Sequence, residues 1–292
     1  MSLLGIEAGS DGVTALVVGA DGGVLATAHH AVGRREPQPG WVELAPEEVW
    51  RALLAATRAV LARVDADTLG GLGITDAHDT LTLWDRETLG APRPALAPTD
   101  TRAGSVRTDH RLTWLAAHEP RTWARVETGE YAVGGLASYL VARLTRGTWH
   151  VSDVAAAART GLLDVRTGGW SVDRCAAAGV PLDALPELVA SWGVVDRTDG
   201  RSFCGLDLPI AGLAAAGAAR LLARGGPAAA HGAGEPVPVW RAPDGRLTYA
   251  PRGTVEAGTR PGPPAARGAA YLAGLGTGVW GSPDELPASP QS

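Results

Sequence analysis

The side chains that could do chemistry in this 292-residue chain are carboxylates, hydroxyls and arginines; lysine is absent, and every basic residue other than histidine is arginine. Any phosphate clamp must therefore use arginine, backbone N–H groups or a metal. Cys175 and Cys204 form neither a disulfide framework nor a metal-binding spacing. His29-His30 and His118 lack partners at ligand spacing and read as surface residues. No Gly-x-Ser-x-Gly elbow, Walker loop or dinucleotide fingerprint is present. The ten tryptophans are scattered, which suits core and edge packing better than base stacking.

The elements that must position such groups are those of a mixed α/β protein. With 45% apolar and 20% charged residues, the chain has the composition of a soluble globular domain. A net charge of −5, with no basic block or stripe, argues against nucleic acid as the main partner. No apolar run reaches membrane-span length; the most apolar one, 206–223, is interrupted by Asp207, Pro209 and Arg220. The opening residues lack a signal-peptide pattern, so a reducing, cytoplasmic setting is expected. Residues 3–8, 13–19 and 24–29 read as strands of an antiparallel meander, separated by Gly9-Ser10-Asp11-Gly12 and Ala20-Asp21-Gly22-Gly23. Residues 46–64 read as a helix, with Pro46 in the first turn and Glu47 and Glu48 at its positive end. Strands are expected over 69–75 and 79–85, and helices over 109–123, 131–144, 182–189 and 267–280. A hairpin is expected within 247–255, and 225–238 and 257–266 carry little periodic signal.

Several runs then become specific. Gln38-Pro39-Gly40-Trp41-Val42-Glu43, with Pro46-Glu47-Glu48-Val49-Trp50, resembles the end of the opening meander of glycerol-kinase-like FGGY carbohydrate kinases. Gly73-Ile74-Thr75-Asp76-Ala77-His78-Asp79-Thr80 resembles that family's Gly-Ile-Thr-Asn-Gln-Arg-Glu-Thr segment, and Trp84-Asp85 its following turn. His150-Val151-Ser152-Asp153 and Ala158-Arg159-Thr160-Gly161-Leu162-Leu163-Asp164-Val165 match the next block, and Gly268-Ala269-Ala270-Tyr271-Leu272-Ala273-Gly274-Leu275 resembles the closing helix. The matches keep the family's order and cover nearly all of 3–222. The resemblance implies an actin-like, ribonuclease-H-like fold, with two domains flanking an ATP cleft and ATP-dependent phosphorylation of a polyol or sugar hydroxyl. On this reading 1–208 is the N-terminal kinase domain, 209–282 a shortened remnant of the second, ATP-binding domain, and 283–292 a disordered tail.

Carried over position by position, the resemblance gives the candidate site. The family's Asp-x-Gly-Thr-Thr loop is here Glu7-Ala8-Gly9-Ser10-Asp11. Glu7 could reach Mg²⁺ through water, and Gly9 and Ser10 could turn donors toward ATP, although ordinary hairpin-turn residues would look the same. Asp11 would repel phosphate oxygens, and the arginine that follows the loop in the family falls at Thr14. His78 and Asp79 stand at the Arg-Glu pair that holds the acceptor hydroxyls, and Asp100 and Arg102 remain from a segment that has lost its aromatic wall. The general-base aspartate falls at Ala216, and no acidic residue occurs between Asp207 and Glu235. Losing such a base costs about 10²- to 10⁴-fold. The Thr-Gly-Thr phosphate loop and the glycine-rich adenine site have no counterpart in the sequence. The expectation is a kinase homologue without catalytic activity; the alternatives are a weak polyol kinase of altered specificity, or a binding partner assembled through its exposed cleft as a homo- or hetero-oligomer.

Overall fold

The computed structural model describes residues 1–76, 79–223, 236–251 and 263–287. Strands β1 (Ser2–Ala8), β2 (Gly12–Gly19) and β3 (Val24–Ala31) form the antiparallel meander. β1 is buried along its whole length, as a strand covered on both faces must be. A small ribbon, β4 (Arg34–Gln38) and β5 (Trp41–Leu44), leads into helix α1 (Pro46–Leu61), whose Val49, Leu53, Ala56 and Val60 are buried. β6 (Leu69–Asp76) then returns parallel to β1, with Ile6 opposite Ile74 and Ala8 opposite Asp76.

An excursion leaves this sheet after β6. It contains β7 (Thr82–Asp85), β8 (Ala95–Leu96), α2 (Thr108–His118), α3 (Pro120–Glu127), β9 (Tyr131–Gly134), α4 (Leu136–Leu144), β10 (Val151–Asp153), α5 (Val154–Arg159), the ribbon β11 (Leu163–Asp164) and β12 (Gly169–Trp170), α6 (Val172–Ala177) and β13 (Glu187–Val189). The chain re-enters the sheet through β14 (Trp192–Arg197) and β15 (Pro209–Ala215), followed by α7 (Ala216–Ala223). The sheet order is β14-β15-β6-β1-β2-β3, with β15, β6 and β1 mutually parallel. The hairpin β16 (Pro236–Arg241) and β17 (Leu247–Pro251) and the helix α8 (Pro263–Gly276) complete the described chain.

Local sequence explains where expectation and structure part. The helix read over 109–123 is broken at Glu119-Pro120 into α2 and α3, because proline donates no N–H and disfavours helix in the residue before it. The helix read over 131–144 begins as a strand, since Gly134-Gly135 interrupts it and Tyr131–Gly134 pairs with β7. Residues 182–184 form a 3-10 turn, and Glu187–Val189 is extended against β10. β17 pairs with a strand from the segment that showed no periodicity.

The sheet separates two cores. Leu4, Ile6 and Ala8 face α1 and α4; Leu3, Leu16 and Val18 face α7, α8 and the β16–β17 hairpin. Helix α8 lies directly on the strand backbones. Gly5, Gly73 and Gly212 stand side by side across β1, β6 and β15, and a Cβ on Gly5 or Gly73 would fall 1.8 Å from the carbonyl oxygen of Ala266 or Ala269. Only glycine on the strands permits that separation, because a side chain there would meet the helix backbone. The described part of 209–282 is thus packed on the same sheet that the first strands build. Beyond it, Pro283–Glu285 is a 3-10 turn and the Tyr271 hydroxyl donates to the Pro287 carbonyl at 3.4 Å; residues 288–292 lie outside the described chain.

Candidate functional site

The C-terminal ends of β1, β6 and β15 converge on one edge of the sheet, the usual place for a ligand in a parallel α/β arrangement. Glu7 lies near the end of β1, fully buried. Its Oε1 accepts a hydrogen bond from Arg220 Nη2 of α7 at 2.7 Å, an ion pair in which the arginine side chain is only 11% exposed. After β1 the chain turns at once, with Gly9 N–H donating to the Gly12 carbonyl at 2.8 Å, so this donor is spent within the hairpin. Ser10 is buried beside it, and Asp11 Oδ1 is buried with no hydrogen-bond partner. Thr14 Oγ1 meets His29 Nδ1 at 3.1 Å.

On β6 the alternation of side chains places Ile74 and Asp76 toward the α1 and α4 side, whereas Glu7 lies on the α7 and α8 side. Asp76 is buried and accepts the backbone N–H of Ala137, in the first turn of α4, at 2.9 Å. Burial pushes its carboxyl up from the ordinary 3.8 to about 6, with Asp79 nearby adding to the rise and the Ala137 N–H and Arg159 opposing it. Asp79 has the left-handed backbone (φ 61°) of a tight turn. Its carboxylate pairs with Arg159 Nη2 of α5 at 2.7 Å, and its carbonyl accepts Arg111 Nη2 at 2.5 Å. Arg111 is fully buried and also reaches the Ala97 carbonyl at 2.8 Å and Thr108 Oγ1 at 3.2 Å, pinning this loop to α2. Asp76, Asp79 and Arg159 line one cavity with about 50 Å³ of free space.

Asp100 is elsewhere and fully engaged. It is completely buried, accepts the Val42 N–H at 2.7 Å, and is bonded by the Arg102 guanidinium at 3.0 Å. Arg102 continues to Glu43 at 2.7 Å and lies 4.2 Å over the Trp41 ring, so this cluster ties β5 to the loop after β8. His78 lies outside the described residues. Ala216 opens α7, directly after β15, and Arg220 follows one turn later. Of the predicted residues, then, only Asp79 faces the cavity among those described. Asp76, Arg159 and Arg111 were missed; the signal that could have found Arg220 is an arginine inside the most apolar run of the chain, which must find a partner when buried.

No group of three or more histidine, cysteine or carboxylate side chains is placed to hold a metal among the described residues. With Glu7 neutralised by Arg220, and Glu7 and Asp76 on opposite faces of the sheet, the described residues do not fit Mg²⁺ and its nucleotide.

The three parallel strands beside an antiparallel meander, with helices on both faces, define an actin-like, ribonuclease-H-like domain. The N-terminal domain of the FGGY family of carbohydrate kinases matches residues 2–108 and 95–217, and the chain belongs to that family. Within it, the chain is similar to glycerol kinases: that of Alkalilimnicola ehrlichii is 32% identical over 252 residues, covering 77% of this chain and 50% of that one. That of Albidiferax ferrireducens is 32% identical over 239 residues, covering 73% and 48%. Among solved structures, Plasmodium falciparum glycerol kinase with ADP superimposes with a TM-score of 0.70 at 18% identity, covering 76% of this chain and 50% of that one. Xylulose kinase from Rhodospirillum rubrum gives 0.70 at 24% identity, covering 77% and 51%. At such identities the structural likeness speaks for the fold alone. The chain spans about half the length of the curated relatives it matches. No described helix is long and apolar enough to cross a membrane.

Proposed function

We propose that this chain is a glycerol-kinase-like FGGY protein that does not transfer phosphate: a cytoplasmic pseudokinase retaining the family's N-terminal scaffold and an altered acceptor cleft. The observation that carries the reading is the Glu7–Arg220 pair. The carboxylate at the family's metal-side position is buried against a guanidinium at 2.7 Å, and releasing it to a metal would leave a buried charge exposed to a large desolvation penalty. Ala216 at the general-base position and Asp11 beside the phosphate turn point the same way. In the proposed division, 1–208 is the kinase-type domain, 209–282 derives from the second domain, and Asp79 with His78 forms what remains of the acceptor site.

The test is phosphoryl transfer to glycerol and other polyols, alongside the melting temperature with and without millimolar MgATP. A ligand at about 100 times its Kd adds about 2.7 kcal/mol of stability, a readily visible shift. The expected result is no transfer and no shift. Transfer abolished by Glu7→Ala would overturn the reading. Transfer abolished by Asp76→Asn would favour a weak kinase of altered specificity instead, since Asp76 is paired in the sheet with Ala215, next to the vacated base position.

A further inference from the structure

We propose that two copies of this chain pair through the free edge of β3, antiparallel about Ala28, so that the six-stranded sheet runs on from one molecule into the other. The contact is independent of whether phosphate is transferred. It rests on unpaired backbone, on the contrast with the opposite edge of the sheet, and on the order of side chains along the strand.

β3 ends the order β14-β15-β6-β1-β2-β3, so only one of its sides is paired. In the ladder with β2, the Val32 N–H donates inward to the Asp11 carbonyl at 3.0 Å, and Ala28 and His30 face β2 in the same phase. Thr27, His29 and Ala31 therefore turn their N–H and C=O groups outward. Among the described residues no backbone group bonds to them from that side, and all three residues are exposed. One side chain reaches this edge: Arg63 Nη1 donates to the Thr27 carbonyl at 3.2 Å in an exposed bond. A backbone N–H from a second strand can take its place.

Sheets blunt such edges with bulges, charges or covering loops. The opposite edge is blunted in this way. The register of β14 shifts between Trp192 and Asp196, Gly193 has a φ of 120°, and the strand ends on the charged Asp196 and Arg197. β3 has no proline, carboxylate or arginine from Val24 to Ala31, and its one register shift lies at its start, beside Leu25.

The side chains select a second copy as the occupant. Val24 and Leu25, at one end, are large, apolar and 42% and 54% exposed. Ala31 and Gly33, at the other end, are small, and Gly33 has open space around it. Antiparallel pairing about Ala28 lays Thr27 of each copy against His29 of the other. It also sets Val24 and Leu25 of each beside Ala31 and Gly33 of the other, so large residues meet small ones at both ends. Asp21 precedes the strand and Arg34 is the first charge after it, so the same pairing brings opposite charges together. Parallel pairing would put large on large and like charge on like. The antiparallel contact has a two-fold axis, so the assembly closes at two copies. One strand's width of contact is small, and the dimer is accordingly weak.

The experiment is sedimentation of the full chain at neutral pH, from about 1 μM to about 1 mM. The expected result is a reversible monomer–dimer equilibrium within that range. His29→Pro removes one outward N–H while leaving the inward bonds to β2 in place, and Leu25→Asp puts a charge against the small end of the second copy. Each should weaken the dimer at least about tenfold. His29→Ala, which keeps the N–H, and Val194→Asp, on exposed β14, should leave it unchanged. Melting curves should place all four variants close to the parent; Leu25 is exposed and outside the core, so its variant decides the matter if the proline unfolds the chain. A chain that stays monomeric throughout, growth beyond the dimer, a dimer indifferent to Leu25→Asp, or one dissociated by His29→Ala or Val194→Asp would each overturn the proposal.

Discussion

Glu7 and Arg220 each justify the other's burial. Removing one partner of such a pair leaves an uncompensated charge in the core, whereas replacing both with apolar or neutral groups is much less costly. Arg220→Ala should therefore cost about 3–5 kcal/mol, read from denaturant unfolding, and the Glu7→Gln/Arg220→Met double variant should recover most of it. A single-variant cost below about 1 kcal/mol would mean that the pair behaves as an exposed one. Asp76 and His150 make a second residue-scale prediction, with opposite signs. Asp76 titrates at about 6 in the fold against an ordinary 3.8, so its stabilising contribution is present at low pH and lost as pH rises through 6. Burial depresses His150 to about 4, with Arg86 adding to the effect, so its contribution is present above the ordinary 6.5 and lost as pH falls toward 4. Each is worth about 3 kcal/mol at most, and between about pH 4 and 6 they offset one another. Asp76→Asn should remove one side of this balance. The variant should be more stable than the parent at about pH 8, equal to it below about pH 4, and steeper in its pH dependence between. Unfolding midpoints across that range check the sign directly.

At the scale of elements, the row of glycines under α8 is the feature most exposed to test. Gly73→Ala puts a methyl 1.8 Å from the Ala269 carbonyl oxygen, and neither the strand nor the helix backbone can move without its neighbours. A loss of about 3 kcal/mol or more is expected, or no folded protein. Gly33→Ala, with open space around it and no left-handed backbone, should stay within about 0.5 kcal/mol. Comparable costs at the two sites would show that α8 does not lie where described. The elements themselves were legible to different degrees. The meander, α1 and β6 follow from apolar runs and turn residues that act locally. The change of type at Tyr131–Gly134 was not legible, because the pairing with Thr82–Asp85 that makes it a strand lies nearly fifty residues away in sequence. Proline and glycine pairs marked the breaks at Pro120 and Gly134-Gly135, but marked them only as breaks, without saying what came before.

For the whole molecule, α8 matters more than its place near the end of the sequence suggests. Ala266, Ala270, Tyr271, Leu272 and Ala273 supply much of the core on one face of the sheet, alongside Leu3, Leu16 and Val18 from the first strands. Ending the chain before Pro263 should expose that face and yield aggregated or unfolded protein, as judged by gel filtration and circular dichroism. A monomeric, cooperatively folded product would show that the face needs no cover. The sequence by itself determined the family and the scaffold: the ordered matches through 222 are local signals that survive without knowledge of contacts. The resemblance also set the expectation at the general-base position, where Ala216 stands. Only the tertiary structure decided what the remaining charges do. Glu7 meets Arg220 across 213 positions, Asp79 meets Arg159 across 80, and Asp76 accepts the Ala137 N–H of α4 across 61. Local pattern cannot foresee such pairings, because a charge's partner is set by where the sheet brings distant segments together and by how thoroughly water is excluded once it has done so.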